Sequence, residues 1–173
     1  MTGWDDPLAR LHQLLVERQI DYALIGGHAV NALVEPRFTA DIDLTIDTSV
    51  EKLASFASVL GNEGFYVQRE HGMGPSGPDF MRFVSTGAEV IVELQAAKTP
   101  FQREVVQRAN RSKGLRVATA EDLIVLKLIA DRPKDQADLI GLTQLEGLDW
   151  LYVEQWSAAW EVTERLRRYR PMV

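Results

Sequence analysis

The chain has 173 residues, of which 46% are hydrophobic and 25% charged, a composition typical of a soluble globular protein that predicts one domain over 1–173. No apolar run approaches the roughly 18 residues that a membrane span requires, so we expect no membrane partner. The complete lack of cysteine excludes disulfides, thiolate metal sites and cysteine nucleophiles. The N-terminal residues lack the basic and apolar regions of a signal peptide, which favours a cytoplasmic protein.

The charge is unevenly distributed along the chain. The 19 basic and 25 acidic residues sum to −6, which argues against a general nucleic-acid or anionic-membrane coat. Residues 98–116, however, sum to +5 and residues 165–173 to +4, so the rest of the chain carries −15. The two basic segments are therefore candidate surfaces for an RNA backbone.

Hydrophobic periodicity and turn residues divide the chain into helices and strands. Apolar residues at helical spacing follow Asp6-Pro7, whereas 41–47 alternates strictly between apolar and polar side chains. The Gly- and Pro-rich stretch 71–79 predicts a loop. The predicted helices are 7–20, 28–34, 50–60, 100–110, 120–130, 133–142 and 152–169, and the predicted strands are 22–25, 41–47, 64–69, 80–85, 88–94 and 115–118.

The order of these elements predicts the fold class. Capping boxes at 48–51, 99–102 and 119–122 mark three helix starts between the strands. We expect an α+β fold (mixed α/β), in which a mixed sheet with flanking helices forms a core of about 20–118. A helical C-terminal part of about 119–173 follows this core.

The strongest functional pattern combines a glycine pair with three acidic residues. Gly26-Gly27 ends an apolar run, and Asp41-Ile42-Asp43 follows after thirteen intervening residues. Side chains two apart on a strand share one face, so the carboxylates of Asp41 and Asp43 lie side by side, with about 6.6 Å between their Cα atoms. Glu93 lies in another apolar strand and supplies a third carboxylate. A turn or a solvated edge would explain either feature alone, but the combination favours a functional site.

The chemistry of these carboxylates indicates metal-bound phosphates. Carboxylate oxygens without nearby histidine or cysteine suit hard cations, above all Mg²⁺ shared with substrate phosphates. Two such ions about 3.5–4 Å apart can clamp the attacking and leaving oxygens of a phosphoryl displacement. We therefore expect Mg²⁺, with Mn²⁺ as the alternative, at Asp41 and Asp43, and Glu93 as a further ligand or as the base. The Gly26-Gly27 turn and Arg37 are expected to bind a triphosphate.

These motifs resemble those of the DNA-polymerase-β-like nucleotidyltransferase superfamily, whose signature is a hydrophobic-Gly-Gly/Ser turn, an Asp-x-Asp strand and a third acid. The matching runs are residues 24–27 and 37–44, followed by the acidic strand with Glu93. The chain is most similar to small bacterial enzymes grouped with type IV toxin or abortive-infection nucleotidyltransferases, and also to lincosamide nucleotidyltransferases. The similarity covers about residues 20–140.

The resemblance implies a palm-like mixed sheet and a role for each matched position. Asp41 and Asp43 would bind Mg²⁺, the Gly26-Gly27 pair would hold the phosphates of an NTP, and Glu93 would be the third acid. The toxin-type group usually has aspartate at this third position. Glutamate serves there as third acid and base elsewhere in the superfamily, so the resemblance is compatible with an active enzyme and does not define the metal geometry.

Lys127 is a further candidate that can be argued from the residues alone. It is the one polar residue between Leu123 and Ala130, so its ammonium group must be paired or reach water. We favour a phosphate contact over a lysine that only extends to solvent, because an anion in the cleft would supply the missing partner. The charged residues that follow Pro133 fit a binding site or an ordinary helix start equally well: Arg132, Lys134, Asp135 and Asp138.

Other conspicuous side chains receive structural interpretations. His28 follows the glycine pair without histidine or cysteine nearby, so a helix-start residue is favoured over a metal ligand. Trp156 and Trp160 are four apart and are interpreted as core or interface anchors rather than a base-stacking platform.

Together these features predict a Mg²⁺-dependent nucleotidyltransferase. An acceptor hydroxyl would attack the α-phosphorus of an NTP such as ATP, and pyrophosphate would leave. The residues expected to position the triphosphate are Gly26, Gly27, Arg37, Thr39 and Lys127. The expected acceptor is RNA such as tRNA, or a protein, as for a toxin that is paired with an antitoxin. The alternatives are a small-molecule antibiotic as acceptor, or a nucleotide- or partner-binding protein with impaired catalysis.

Overall fold

The structure, a computed structural model, describes residues 6–71, 79–87 and 89–170. Within these ranges the strands are β1 (Asp21–Ile25), β2 (Ile42–Asp47), β3 (Phe65–His71), β4 (Phe80–Ser85), β5 (Ile91–Ala96), β6 (Asn110–Ser112) and β7 (Leu115–Val117). The helices are α1 (Pro7–Glu17), α2 (Gly26–Val30), α3 (Val50–Asn62), α4 (Pro100–Arg108), α5 (Ala120–Ala130), α6 (Pro133–Leu142), α7 (Trp150–Ala159) and α8 (Thr163–Leu166). None of these helices has both the length and the apolar character that crossing a bilayer requires.

The strands form one mixed sheet in the order β3-β4-β5-β2-β1-β7-β6. β3, β4 and β5 pair antiparallel, as do β1 with β2 and β6 with β7. β2 pairs parallel with β5, and β1 pairs parallel with β7. The predicted mixed sheet with flanking helices is confirmed, and β2 lies near its centre.

Alternation along the central strands determines which face of the sheet is buried. In β5, Val92, Leu94 and Ala96 are buried, whereas the side chains between them are partly exposed. β4 follows the same pattern. The buried side chains join the core with those of α1, α3, α4 and α5. Two of the partly exposed side chains of β5, Glu93 and Gln95, line the cleft that is described below.

Helix starts follow the capping chemistry of the sequence. Asp6 caps α1, and Thr99 caps α4 in a full capping box with Gln102. Thr119 caps α5 as predicted. The predicted start at 48–51 is wrong by one position, because the Ser49 hydroxyl accepts the capping bond from Lys52 N–H.

Several predicted boundaries differ from the structure. The helix predicted for 28–34 already begins at Gly26, so the glycine pair forms its first turn. The strand at 115–118 is one arm of a hairpin whose other arm, β6, was not predicted. The predicted helix 152–169 is interrupted, because Glu161 adopts a positive φ between α7 and α8. The predicted loop at 71–79 lies almost entirely outside the described residues.

The tryptophans of α7 anchor this helix to the core. The ring of Trp156 lies 4.9 Å from that of Phe101 on α4, and Trp160 packs edge-on against the same phenylalanine at 6.3 Å. These contacts agree with the interpretation as core anchors.

Candidate active site

Three charged side chains line up across neighbouring strands on the partly exposed face of the sheet. Parallel pairing places Asp43 of β2 opposite Glu93 of β5, and antiparallel pairing places Arg82 of β4 opposite the same Glu93. Register partners on adjacent strands are about 4.8 Å apart and project to one face. The row therefore runs Arg82, Glu93, Asp43, and two of the three predicted acids lie directly side by side.

Asp43 carries the clearest electrostatic signature of this row. Burial, the adjacent Glu93 carboxyl and the nearby Asp41 together raise the pKa of Asp43 to about 7, and Lys134 partly opposes the shift. The carboxyls of Asp43 and Glu93 are within hydrogen-bonding distance of each other. Two carboxylates this close share a proton or a cation, because neither is stable beside the other as a bare anion.

The carboxylate oxygens of the site are the kind of ligand that a hard divalent cation prefers. Asp41 directly precedes β2 and acts electrostatically on Asp43, all donors of the two side chains are carboxylate oxygens, and a divalent charge would relieve the repulsion that raises the pKa of Asp43. Among the described residues, no three acidic, histidine or cysteine side chains are arranged to hold a metal ion. One oxygen of Glu93 is instead occupied by Arg82, whose Nε lies 2.8 Å from Glu93 Oε1.

The glycine pair makes room for two side chains of the site. Gly26 has φ +66°, and a Cβ atom there would lie 1.9 Å from Asp43 Oδ2. A Cβ on Gly27 would lie 2.4 Å from Thr39 Oγ1. Both positions thus need glycine because a Cβ atom would overlap a neighbouring side chain. The sequence pattern does not reveal this requirement. Phosphate binding by the pair stays a prediction.

A cleft of about 220 Å³ lies between this row of the sheet and helix α5. Gly26, Asp43 and Glu93 line one side, and Leu126, Lys127 and Arg132 are among the residues on the other. Of the predicted phosphate ligands, the cleft lining includes Gly26 and Lys127.

Lys127 is buried but has partners within the protein. Its Nζ lies 2.7 Å from Asp135 Oδ1 and 2.7 Å from Asp138 Oδ2, both on α6. The inference that Lys127 lacks a partner unless an anion binds is therefore wrong, because the low-exposure carboxylates of α6 neutralise it. A phosphate contact by Lys127 stays a prediction, but a missing partner no longer supports it.

Arg37 is tied to the same carboxylates. Its Nε and Nη2 donate to the two oxygens of Asp138 at 2.6 and 2.7 Å, a bidentate pair. Arg132 Nε donates to Asp135 Oδ2 at 2.5 Å. Five side chains thus form one network, which we call the α5–α6 ion network: Arg37, Lys127, Arg132, Asp135 and Asp138.

The ion network lowers the pKa values of its two carboxyl groups. Burial favours their neutral forms, yet hydrogen bonds from Arg132 and Lys127 hold the pKa of Asp135 below its ordinary value. Arg37 and Lys127 do the same for the pKa of Asp138. Asp135 and Asp138 therefore remain anionic at neutral pH and serve the network, not a bound ligand.

Much of the predicted basic surface is also used internally. Arg108 lies 3.9 Å above the Tyr152 ring, and Arg116 donates to the carbonyls of Tyr22 and Val106. In the other segment, Arg165 donates to the carbonyl of Leu128. The remaining pairs join Lys98 with Asp79, Arg167 with Glu164 and Arg170 with Glu154.

Arg82 is the site residue that sequence reasoning missed. Its strand alternates between buried and partly exposed side chains, which shows only that Arg82 shares a face with Phe80 and Val84. Its place opposite Glu93 depends on the register between β4 and β5, and no local sequence signal specifies that register.

No protein-family model and no curated protein matches the sequence. Solved structures do match over most of the chain. ANT(2'')-Ia in complex with adenylyl-2''-tobramycin is 17% identical, with 92% of this chain and 96% of that chain covered and a TM-score of 0.62. The lincosamide antibiotic adenylyltransferase LnuA, bound to lincomycin, is 17% identical, with coverage of 79% and 94% and a TM-score of 0.60. An antigenic nucleotidyltransferase-like protein from Paracoccidioides brasiliensis is 20% identical, with coverage of 95% and 92% and a TM-score of 0.55.

These likenesses establish the fold: the chain has the fold of nucleotidyltransferases. Sequence identities of 17–20% support a shared fold and no further conclusion. The predicted fold class is confirmed by this match and by the mixed sheet itself.

Replacing Lys127 with methionine tests the α5–α6 ion network. We expect Lys127→Met to lower the free energy of unfolding by roughly 2–3 kcal/mol, less than the full loss of a buried partner because each carboxylate keeps one arginine. Because the pKa values of Asp135 and Asp138 are lowered in the folded state, their contribution is present at neutral pH and lost as the pH falls below about 4. Urea denaturation at pH 7 and pH 3.5 measures both effects.

The matched control for Lys127 is Arg132→Met. Arg132 belongs to the same network, but its side chain is 58% exposed, so we expect a loss of at most about 1 kcal/mol. Equal effects of the two substitutions at pH 7 would contradict the buried role of Lys127.

Adding a methyl group at position 26 tests the contact between Gly26 and Asp43. Gly26→Ala should displace the Asp43 carboxylate and abolish activity that depends on it, because the new Cβ would overlap its oxygen. Gly147→Ala is the control, since Gly147 also has a positive φ of +76° but no atom within 4 Å of the added Cβ. The midpoint temperature of thermal unfolding should fall modestly in both variants. A Gly26→Ala protein with unchanged activity would show that Asp43 does not need this space.

Proposed function

We propose that this protein is a nucleotidyltransferase that transfers NMP from an NTP to an acceptor hydroxyl with a divalent cation, Mg²⁺ or Mn²⁺. The observation that carries the proposal is the pair of adjacent carboxylates, Asp43 and Glu93, beside the glycine turn that makes room for Asp43. The nucleotidyltransferase fold of the chain supports this reading. A structural subunit would leave a partly buried pair of like charges unexplained.

The reaction assigns a separate task to each part of the cleft. The acceptor oxygen forms a bond to the α-phosphorus, the bond to the β-phosphate oxygen breaks, and pyrophosphate leaves. Asp41 and Asp43 would hold the divalent cation, which supplies charge neutralisation and alignment of the phosphates. Glu93 Oε2, which receives neither of the Arg82 bonds, would accept the proton of the hydroxyl.

The triphosphate needs cations, and the rim of the cleft provides them. Lys134 is exposed at the start of α6 and acts electrostatically on Asp43. Arg132 lines the cleft, and its side chain is 58% exposed despite the pair with Asp135. We add these two residues to Gly26, Gly27, Arg37, Thr39 and Lys127 as phosphate ligands, and the exposed pair would contact the β- and γ-phosphates first.

For the acceptor, we favour a small hydroxylated molecule. Two solved structures of the same fold carry adenylyl-2''-tobramycin and lincomycin, which are compounds of this size. The basic segments that suggested an RNA surface are largely tied to protein carboxylates and carbonyls. Internal pairing leaves fewer cations to neutralise phosphates of a polymer.

RNA remains the second candidate acceptor on one specific observation. Arg103, Arg111 and Lys113 are exposed within a short stretch that includes the β6–β7 hairpin. Exposed cations this close in sequence are the kind of groups that bind a short run of phosphates. A toxin paired with an antitoxin, and a cytoplasmic location, stay predictions from the sequence.

A transfer assay with labelled NTPs tests the proposed reaction. The protein should transfer label from at least one [α-³²P]NTP to a hydroxylated acceptor when Mg²⁺ or Mn²⁺ is present. Addition of a metal chelator should abolish this transfer. Asp43→Asn should lower the rate at least about 1,000-fold, because it removes an anionic ligand without changing the size of the side chain. Label transferred equally well by Asp43→Asn would contradict the assignment.

Competition between acceptor classes tests the second part of the proposal. We expect product mass spectrometry to find an NMP adduct (+329 Da for AMP, about the mass of the transferred group) on an aminoglycoside or lincosamide and not on total tRNA. If tRNA is labelled instead, its binding should fall steeply between about 50 and 200 mM salt, and substitution of Arg111 and Lys113 by glutamine should reduce the salt dependence. Modified tRNA together with an unmodified antibiotic would overturn the small-molecule assignment.

A further inference from the structure

The guanidinium of Arg82 contacts the third acid of the site in an unusual way. Both Nε and Nη2 donate to the same oxygen, Oε1 of Glu93, and Oε2 receives neither bond. The pair is only partly buried, with side-chain exposures of 32% and 22%. A cross-strand ion pair this exposed contributes little to folding stability, so stability does not explain why it lies in the active-site row.

The other charged groups around Glu93 leave Arg82 as its direct counter-ion. Asp43 on β2 and Asp41 just before it are acidic, and both act electrostatically on Arg82. From α6, Arg132 is engaged with Asp135, and Lys134 is exposed at the rim. Among the described residues that the structure pairs with Glu93, Arg82 is the cation in hydrogen-bond contact.

We propose that Arg82 competes with the divalent cation for Glu93 and thereby sets the metal affinity of the site. The inference rests on the proposed metal-dependent function. A metal ion that uses Glu93 as a ligand must displace the guanidinium from Oε1 or bind beside its positive charge. A unit charge about 6 Å from a divalent cation weakens binding by roughly tenfold when the effective dielectric is close to that of water.

The same competition gives a reason for glutamate at position 93. An aspartate would hold its carboxylate about 1.5 Å closer to the β5 backbone, roughly one carbon–carbon bond, and farther from the guanidinium on β4. The glutamate therefore reaches its arginine across the strands. Release of Arg82 by the metal would also free a cation at the cleft, where the phosphates of the NTP need partners.

Metal binding without nucleotide tests this inference independently of activity. Binding of Mn²⁺ to the full chain is measured by electron paramagnetic resonance of free Mn²⁺. Arg82→Gln should bind Mn²⁺ about tenfold more tightly than the wild type, and Arg82→Lys, which keeps the charge, should lie within about threefold of it. Arg167→Gln is the control for a change in net charge, because Arg167 is 68% exposed and paired with Glu164 on α8.

A double substitution separates competition from a general effect of Arg82 on the fold. In a Glu93→Gln background the contested carboxylate is absent, so Arg82→Gln should no longer tighten Mn²⁺ binding by more than about twofold. The same gain in both backgrounds, or no gain in the wild-type background, would overturn the inference. Circular dichroism confirms that each variant is folded.

Failure of this inference is distinguishable from failure of the proposed function. If wild-type protein binds no Mn²⁺ and Asp43→Asn changes nothing, then the metal-dependent function itself is wrong. If wild-type protein binds Mn²⁺, Asp43→Asn abolishes binding and Arg82→Gln leaves it unchanged, then only the role of Arg82 is wrong.

Discussion

The parallel register of β2 and β5 forces two carboxylates into contact, and the rest of the site responds to that constraint. With Asp43 opposite Glu93, the sheet itself keeps the repelling groups together. Three local features reduce the repulsion: Arg82 pairs with Glu93, Lys134 acts on Asp43, and the raised pKa of Asp43 lets it hold a proton. In a chain that transfers nucleotides, a divalent cation would take over this task. The fold thus holds an unfavourable electrostatic interaction at the place where we propose that a cation binds.

The α5–α6 ion network is the second organising feature, and it connects parts of the chain that are far apart in sequence. Arg37 lies in the segment that leads to Asp41, and its bidentate contact with Asp138 holds that segment against α6. Lys127 joins α5 to the same helix. Each carboxylate of the network has two cationic partners, so loss of one cation leaves it paired with the other. The network therefore joins α5, α6 and the segment before Asp41 on one side of the cleft.

The sequence was informative where a local pattern carries the physics. Strict alternation over 41–47 predicted β2, which begins at Ile42, and capping residues predicted the starts of α4 and α5. It was uninformative where a contact depends on register or tertiary packing. The sequence identifies Lys127 as a charge in an apolar helix, but its partners Asp135 and Asp138 are known only once α5 packs against α6. Arg82 was missed for the same reason, since its role depends on pairing across two strands.

The contact between Gly26 and Asp43 links two positions that are separated along the chain. Position 26 must lack a side chain only as long as position 43 carries its carboxylate towards it. A substitution of Asp43 by a smaller residue would remove the steric requirement, leaving only the positive φ to favour glycine at position 26. In related proteins, the two positions are therefore expected to change together, with the acid lost first. A side chain larger than alanine at the position of Gly26 would mark a related protein in which the carboxylate at position 43 is lost or displaced.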